Sequence, residues 1–295
     1  MAPGNVIPAS TGSGTPNLPA RSVGAILIDA GRLELQDVER ILHLAREKGL
    51  RFGDAAIALG VLTRADVDLA LSNQFEYSYL ERGQSTVSEE LIAAYAPFAP
   101  QVEALRSLRN QLMQRWFDTD PAHKALAIVS AERNEGRSYI AANLAVVFSQ
   151  TDVRTLLVDA DMRHPSQHRL FGLDNRSGLS AILSGRGGLE AIRRIPSLRN
   201  LSVLPVGAAP PNPSELLVKS SFARFLEQMA NEFGVIVLDT PAAGDYSDAQ
   251  TICARAGSGL IVVRKNATRV WRVRGITDGA AMGTATLVGT VLNDY

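Results

Sequence analysis

Five short apolar runs, at residues 125–130, 156–158, 235–238, 259–263 and 288–292, punctuate the later part of this chain. A continuous apolar run of this length, without polar alternation, predicts a parallel strand buried on both faces. A helix-like run at 139–150 follows the first of them. Strands separated by helical stretches predict an α/β fold with a parallel sheet flanked by helices. The rhythm before residue 80 is different. Shifting residues 22–74 by 29 aligns Gly24 with Gly53, Ile28 with Ile57, Gly31 with Gly60, Leu33 with Leu62, Asp37 with Asp66, Val38 with Val67 and Leu42 with Leu71. Each copy predicts a short helix, a glycine stop and a second helix starting near Glu34 or Thr63, the latter a good N-cap. Two such hairpins packed together make a small helical domain.

These patterns divide the chain. Residues 1–20, rich in Pro, Gly, Ser and Thr, read as a disordered tail, since they have neither a basic head nor an apolar core of a signal peptide. Residues 21–80 form the helical module, 81–99 read as a linker, and 100–295 form the α/β domain.

Three of the apolar runs end in chemistry. Leu156, Leu157 and Val158 lead into Asp159-Ala160-Asp161-Met162-Arg163, and residues 235–238 lead into Asp239-Thr240-Pro241. Ligands of open α/β sheets collect beyond the carboxyl ends of such strands, so these carboxylates are delivered to that site. The first run is followed by Ala131-Glu132-Arg133-Asn134-Glu135-Gly136-Arg137-Ser138 and then the helix. Strand, turn and helix in that order is the setting of a phosphate-binding loop, in which backbone N–H groups, a cation and a Mg²⁺-binding hydroxyl converge. Against G-x-x-x-x-G-K-[ST] the loop keeps Gly136 and Ser138, with Ala131 at the first glycine and Arg137 for the lysine. Arg137 can hold phosphate bidentately but is no compact point charge. For Asp161 a helix N-cap ahead of Pro165 is the plainer alternative. His164 and His168 lack a third ligand nearby in sequence and make a poor metal site.

In the order loop, apolar-D-x-D-x-R, then D-x-P, these motifs resemble the bacterial tyrosine kinases of polysaccharide export, a branch of the P-loop NTPases related to the MinD and ParA ATPases. The likeness runs over residues 100–295 and includes Leu204-Pro-Val-Gly207, Asn212-Pro-Ser-Glu-Leu-Leu217 and the closing strand through Asn293. Within the family the chain is most similar to the EpsG-type chain-length determinant kinases, which carry a degenerate loop and an additional N-terminal module. The resemblance implies ATP and Mg²⁺ as cofactors. It implies Asn134, Glu135, Gly136, Arg137, Ser138, Tyr139 and Asn293 as the nucleotide site, with Asn293 on the adenine edge; a strand-ending Asn is also an ordinary turn residue. Ser138, Asp159 and Asp239 would hold the metal, and Asp159, Asp161 and Arg163 would form the catalytic group, one carboxylate taking the proton of a tyrosine hydroxyl. Glu103-x-x-Arg106-x-x-Arg109 resembles the helix with which these kinases form homo-oligomeric rings; a solvated, salt-bridged helix face is the alternative. The implied activity is protein tyrosine (auto)phosphorylation. Its setting would be the inner membrane face, with a membrane-bound chain-length determinant, or polysaccharide co-polymerase, as partner. A nucleotide-dependent scaffold without phosphotransfer is the other reading. Relatives end in a tyrosine cluster, whereas only Tyr295 follows the last strand here, so Tyr77, Tyr79, Tyr95 and Tyr246 are the remaining acceptor candidates. A MinD-like positioning ATPase would need a second lysine early in the loop, and residues 132–134 have none.

Composition adds limits. The formal net charge is zero, which argues against nucleic acid as a partner. Cys253 stands alone, which excludes an internal disulfide and suits a reducing cytosol. Apolar content of 46% supports a large core, and no segment approaches 18 uninterrupted apolar residues. The N-terminal module resembles that of type II secretion and pilus ATPases, a version of which binds cyclic di-GMP; with Arg21 and Arg51 in different register in the two copies, protein docking is the main reading and cyclic di-GMP the alternative. Arg264, Lys265, Arg269, Arg272 and Arg274 form a basic run, read as a solvated helix face, with an acidic partner or a membrane surface as the sharper readings.

Overall fold

The computed structural model describes residues 22–74, 79–281 and 285–294, which fall into two compact units, the first within residues 1–76 and the second within 77–295. The expected tail at 1–20, Arg21, Tyr77 and Tyr295 lie outside the described residues.

The first unit is the repeat made solid. Helices α1 (Val23–Asp29) and α2 (Leu35–Lys48) form one hairpin, and α3 (Phe52–Ala58) and α4 (Arg64–Gln74) the other. Gly31 and Gly60 end the short helices at φ +67° and +69°, a conformation that costs glycine little and other residues more. Thr63 Oγ1 accepts from Asp66 N at 3.2 Å while Asp66 Oδ2 accepts from Thr63 N at 2.9 Å, a reciprocal cap that the Glu34 end of the first copy lacks. The hairpins exchange partners: α1 packs on α4 and α2 on α3. Positions 29 apart therefore meet in one core, Leu27 with Ala56, Leu33 with Leu62 and Ile41 with Ala70. Neither copy could bury its apolar face alone.

The second unit is built on seven strands in the order β3-β4-β2-β5-β1-β6-β7. They are β1 (Ala125–Ser130), β2 (Thr155–Asp159), β3 (Arg193–Arg194), β4 (Leu201–Leu204), β5 (Val235–Asp239), β6 (Ser258–Arg264) and β7 (Thr286–Asn293). All pairings are parallel except β3 with β4. Helices α5 (Ile92–Tyr95), α6 (Pro100–Leu112) and α7 (Arg137–Ser149) precede or follow β1; α8 (Gln167–Leu170), α9 (Leu179–Leu183), α10 (Pro213–Val218) and α11 (Ser220–Glu232) lie between β2 and β5. Helix α12 (Asp248–Ala256) precedes β6, and α13 (Val270–Ala281) follows it. Leu126, Ile128, Leu157, Val235 and Val237 face one core layer, and Ala127, Val129, Leu156, Ile236 and Leu238 the other. Helix α7 is buried nearly all round, which explains a sequence without an amphipathic stripe.

Residues 81–99, expected to be a linker, are instead part of this unit. Val87, Leu91, Ala93 and Ala94 are buried in the layer over α7. The backbone of Ala93 is satisfied by polar side chains on that helix and at its C-cap: Ala93 N donates to Asn143 Oδ1 at 3.0 Å, and Gln150 Nε2 donates to Ala93 O at 2.8 Å. Apart from the single turn of α5 the segment is loop, as its composition suggests, but a segment held by Asn143 and Gln150 can be partly buried without orphaned backbone groups. Among the described residues no helix is long and apolar enough to cross a membrane.

Candidate active site

Strands β1, β2 and β5 are neighbours in the sheet, and their carboxyl ends bring the three acid-bearing motifs together. Asp159 and Asp239 stand opposite one another in the β2–β5 register, both fully buried. Two backbone donors, Ser166 N and Gln167 N, each lie 3.0 Å from Asp159 Oδ2. Gln167 Nε2 donates to Asp239 Oδ2 at 2.7 Å and to Ser138 O at 3.1 Å, which ties the β5 acid to the start of α7. The other oxygen of each acid, Asp159 Oδ1 and Asp239 Oδ1, is buried without a hydrogen-bond partner. Burial and the facing Asp239 push the Asp159 carboxyl well above its ordinary range. Asp239 is also raised by burial, with Arg137 opposing the shift most strongly.

Between these acids lies Arg137, itself buried. Its Nη1 donates to Ser130 Oγ at 2.5 Å, Nη2 reaches Asp161 Oδ2 at 3.4 Å, and Nε stands 3.7 Å from Asp239 Oδ1, beyond hydrogen-bond reach. Asp161 Oδ1 accepts from Arg163 N at 3.1 Å and His164 N at 2.9 Å, so Asp161 does cap the turn while Oδ2 faces Arg137. With all three acids ionised, one guanidinium leaves the cluster two charges short of neutral. Two unbonded carboxylate oxygens and a charge deficit are what a Mg²⁺ ion relieves. Among the described residues no three such ligands close on one point; Mg²⁺ takes few protein ligands and completes its shell with water and phosphate oxygens. The residues present therefore fit the ion.

The phosphate loop borders a cavity of about 290 Å³ lined by residues 133–139 together with Asp161, His164, Arg169, Asp245 and Tyr246. Asn134 and Gly136 hold φ of +60° and +90°. Glu135 is buried, its carboxylate accepting from Glu132 N at 2.8 Å and from the Thr268 hydroxyl. Asn293 Nδ2 donates to Glu135 O at 3.1 Å. It braces the loop beside Gly136, where a Cβ would lie 2.1 Å from Asn293 Nδ2. Gly136→Ala is accordingly expected to destabilise the protein by about 1–3 kcal/mol, combining αL strain and overpacking, and to weaken nucleotide binding. In a thermal melt, Asn293→Ala added to Gly136→Ala should recover the overpacking part alone.

Two groups expected from the sequence make contacts within the chain that the motifs do not indicate. Arg163, placed there in the catalytic group, has its guanidinium engaged elsewhere: Nε donates to Asp248 Oδ2 at 2.7 Å, Nη2 to Ser214 Oγ at 3.1 Å, and the Tyr246 ring lies 3.5 Å away. Its partners are 51 and 85 residues along the chain, so the D-x-D-x-R string spans two clusters. On α6, Glu103 is exposed, but Arg106 bonds Glu103 at 3.1 Å and the Tyr79 hydroxyl, and Arg109 Nη1 donates to Val147 O at 2.9 Å. Sequence reasoning missed Gln167, Ser130 and Thr268, each of which acts on a predicted residue; Gln167 follows Asp159 by eight residues and carried no motif of its own.

A phosphate loop between β1 and α7, facing acids at the ends of β2 and β5, defines a P-loop nucleotide-binding domain. No family model matches the chain. It is similar to the putative tyrosine-protein kinase CapB of Staphylococcus aureus, 33% identical over 194 residues that make up 65% of this chain and 83% of the relative. It is similar also to tyrosine-protein kinase Wzc of Salmonella typhimurium, 34% identical over 59% of this chain, and it spans 24% of that longer protein. The kinase domain of the Escherichia coli tyrosine kinase ETK superposes with TM-score 0.67 at 29% identity, covering 72% of this chain and 83% of that domain. The chain belongs to the bacterial tyrosine kinases.

Proposed function

We propose that this chain is an ATP- and Mg²⁺-dependent protein tyrosine kinase of capsule or exopolysaccharide production. One observation carries the reading: Asp159 and Asp239, each with an unbonded buried oxygen, meet beside Ser138 and Arg137 at the mouth of a glycine-turned phosphate loop. Bound Mg²⁺ would neutralise charge on the β- and γ-phosphates. Asp159, Asp239 and the Ser138 hydroxyl would hold it. The N–H groups at the start of α7 and the Arg137 guanidinium hold phosphate oxygens. Asp161 lines the cavity, whereas Asp159 does not, so Asp161 is the group that receives the proton of an incoming tyrosine hydroxyl. Arg163 positions the turn after Asp161 through Asp248 and Ser214 and takes no part in transfer.

In this reading the chain works as a homo-oligomer at the inner membrane face, recruited by a membrane-bound chain-length determinant. The N-terminal module serves as a docking element for another protein, with cyclic di-GMP as its alternative ligand. Incubation with γ-labelled ATP and Mg²⁺ is expected to put label on tyrosine; ATP binding without tyrosine label would favour the scaffold reading, for which Arg137 in place of lysine is the specific observation. Glu103→Lys, at an exposed position, is expected to lower the particle mass in light scattering without changing the melting temperature. An unchanged mass removes α6 from the subunit interface.

A further inference from the structure

Five cations fall between residues 264 and 274, and the first acid after them is Asp278. Two of the five are neutralised locally, Lys265 by Asp294 at 2.7 Å and Arg272 by Glu132 at 3.5 Å. Arg269 and Arg274 are exposed and make no ion pair among the described residues. Amid these charges Val270 is 72% exposed and Trp271 58% exposed. The fold does not require them there, since α13 is anchored to the sheet by Ile276 and Val273. The Arg272 guanidinium lies 4.5 Å from the centre of the Trp271 ring. On edge strand β7, Leu292 is 63% exposed and pairs in register with Val263, which packs in the same core layer as α13. Three apolar side chains thus stand uncovered on the α13 side of the sheet, among unneutralised arginines.

An indole ring beside aliphatic tips and arginines is the composition that seats in a headgroup layer, ring at the interface and cations against lipid phosphate. We propose that the patch formed by Arg269, Val270, Trp271, Arg274 and Leu292 docks on an anionic lipid bilayer. An acidic peptide would match the arginines but leave Val270 and Leu292 without a role. The patch is also wired to the phosphate loop, because the Thr268 hydroxyl donates to Glu135 and Arg272 pairs with Glu132. Docking therefore presents the loop at a fixed distance from the membrane. This inference stands apart from phosphotransfer and is tested without nucleotide.

The protein carries its own reporter, since Trp116 is buried and Trp271 is not. Titration of the full chain with mixed phosphatidylcholine and phosphatidylglycerol vesicles should shift tryptophan emission to the blue and carry the protein into the vesicle pellet, less so at high salt. Phosphatidylcholine vesicles should do neither. Arg269→Glu with Arg274→Glu should cut the partition on the order of 20-fold, and Trp271→Ser should remove the emission shift while the melting temperature holds. Equal binding to both vesicle types, no binding to either, or wild-type partition by the double charge variant would overturn the proposal. So would an emission shift elicited only by an acidic polypeptide.

Discussion

Replacing Asp159 by Asn is expected to abolish Mg²⁺-dependent phosphotransfer and, at the same time, to raise the melting temperature of the nucleotide-free protein. The two effects have one cause. Asp159 Oδ1 is a buried oxygen without a donor, facing Asp239, and its carboxyl is held well above the ordinary range by burial and by that neighbour. For an acid raised in this way the folded state favours the neutral form. Stability is then undiminished below the unfolded-state value and falls as pH climbs through the folded-state value. At neutral pH the apo protein carries this penalty, and Asn removes it while its amide oxygen still accepts from Ser166 N and Gln167 N. For a domain of this size the gain is about 2–4 °C for each kcal/mol relieved. Loss of a charged ligand to the metal should lower kcat by at least about 10²-fold, the scale of one lost electrostatic contact in an active site. Melting curves across pH, without Mg²⁺, check the first effect, and single-turnover transfer checks the second. A variant that loses activity and also melts lower in its apo form would contradict the electrostatic account.

Removing Arg137 should do the reverse to the apo protein. Among the described residues its guanidinium is the one cationic side chain paired with Asp161 and Asp239, and its Nη1 also engages Ser130. Truncating one partner of a buried ion pair leaves the other charge uncompensated and costs about 3–5 kcal/mol, so Arg137→Ala is expected to lower the melting temperature on the order of 10 °C and to abolish nucleotide binding. Arg137→Lys should recover only part of the stability, because an ammonium cannot span Ser130, Asp161 and Asp239 with a planar fork. Differential scanning calorimetry of the two variants decides the matter. An unchanged melting temperature in Arg137→Ala would mean that the cluster is already neutral without its arginine.

Much of this site is legible in the sequence because the physics that builds it is local. Residues 125–130, 155–159 and 235–239 have no polar face, so they can only be central strands, and an acid that ends such a strand must emerge at the sheet's ligand edge. The repeat at 22–74 is legible for a similar reason: two glycines 29 residues apart stop two short helices. What escaped is nonlocal. Arg163 follows two functional acids by position, yet its partners, Ser214 and Asp248, come from α10 and α12. Gln167 has no motif but bridges Asp239 and Ser138, and residues 81–99 have linker composition, yet Val87, Leu91, Ala93 and Ala94 among them are buried, with Ala93 held by Asn143 of α7 and by Gln150 at its C-cap. In each case tertiary partners supplied what composition could not indicate.

The convergence of β2 and β5 on a nucleotide-bound metal is tested most directly by titrating the protein calorimetrically with a non-hydrolysable ATP analogue, with and without Mg²⁺, in buffers of different ionisation heat. The account predicts that Mg²⁺ tightens binding and that the heat varies with the buffer, because a carboxyl held neutral by burial must release its proton to become a ligand. It also predicts that Asp159→Asn loses both effects. Binding of equal strength with and without Mg²⁺, or no binding at all, would contradict it.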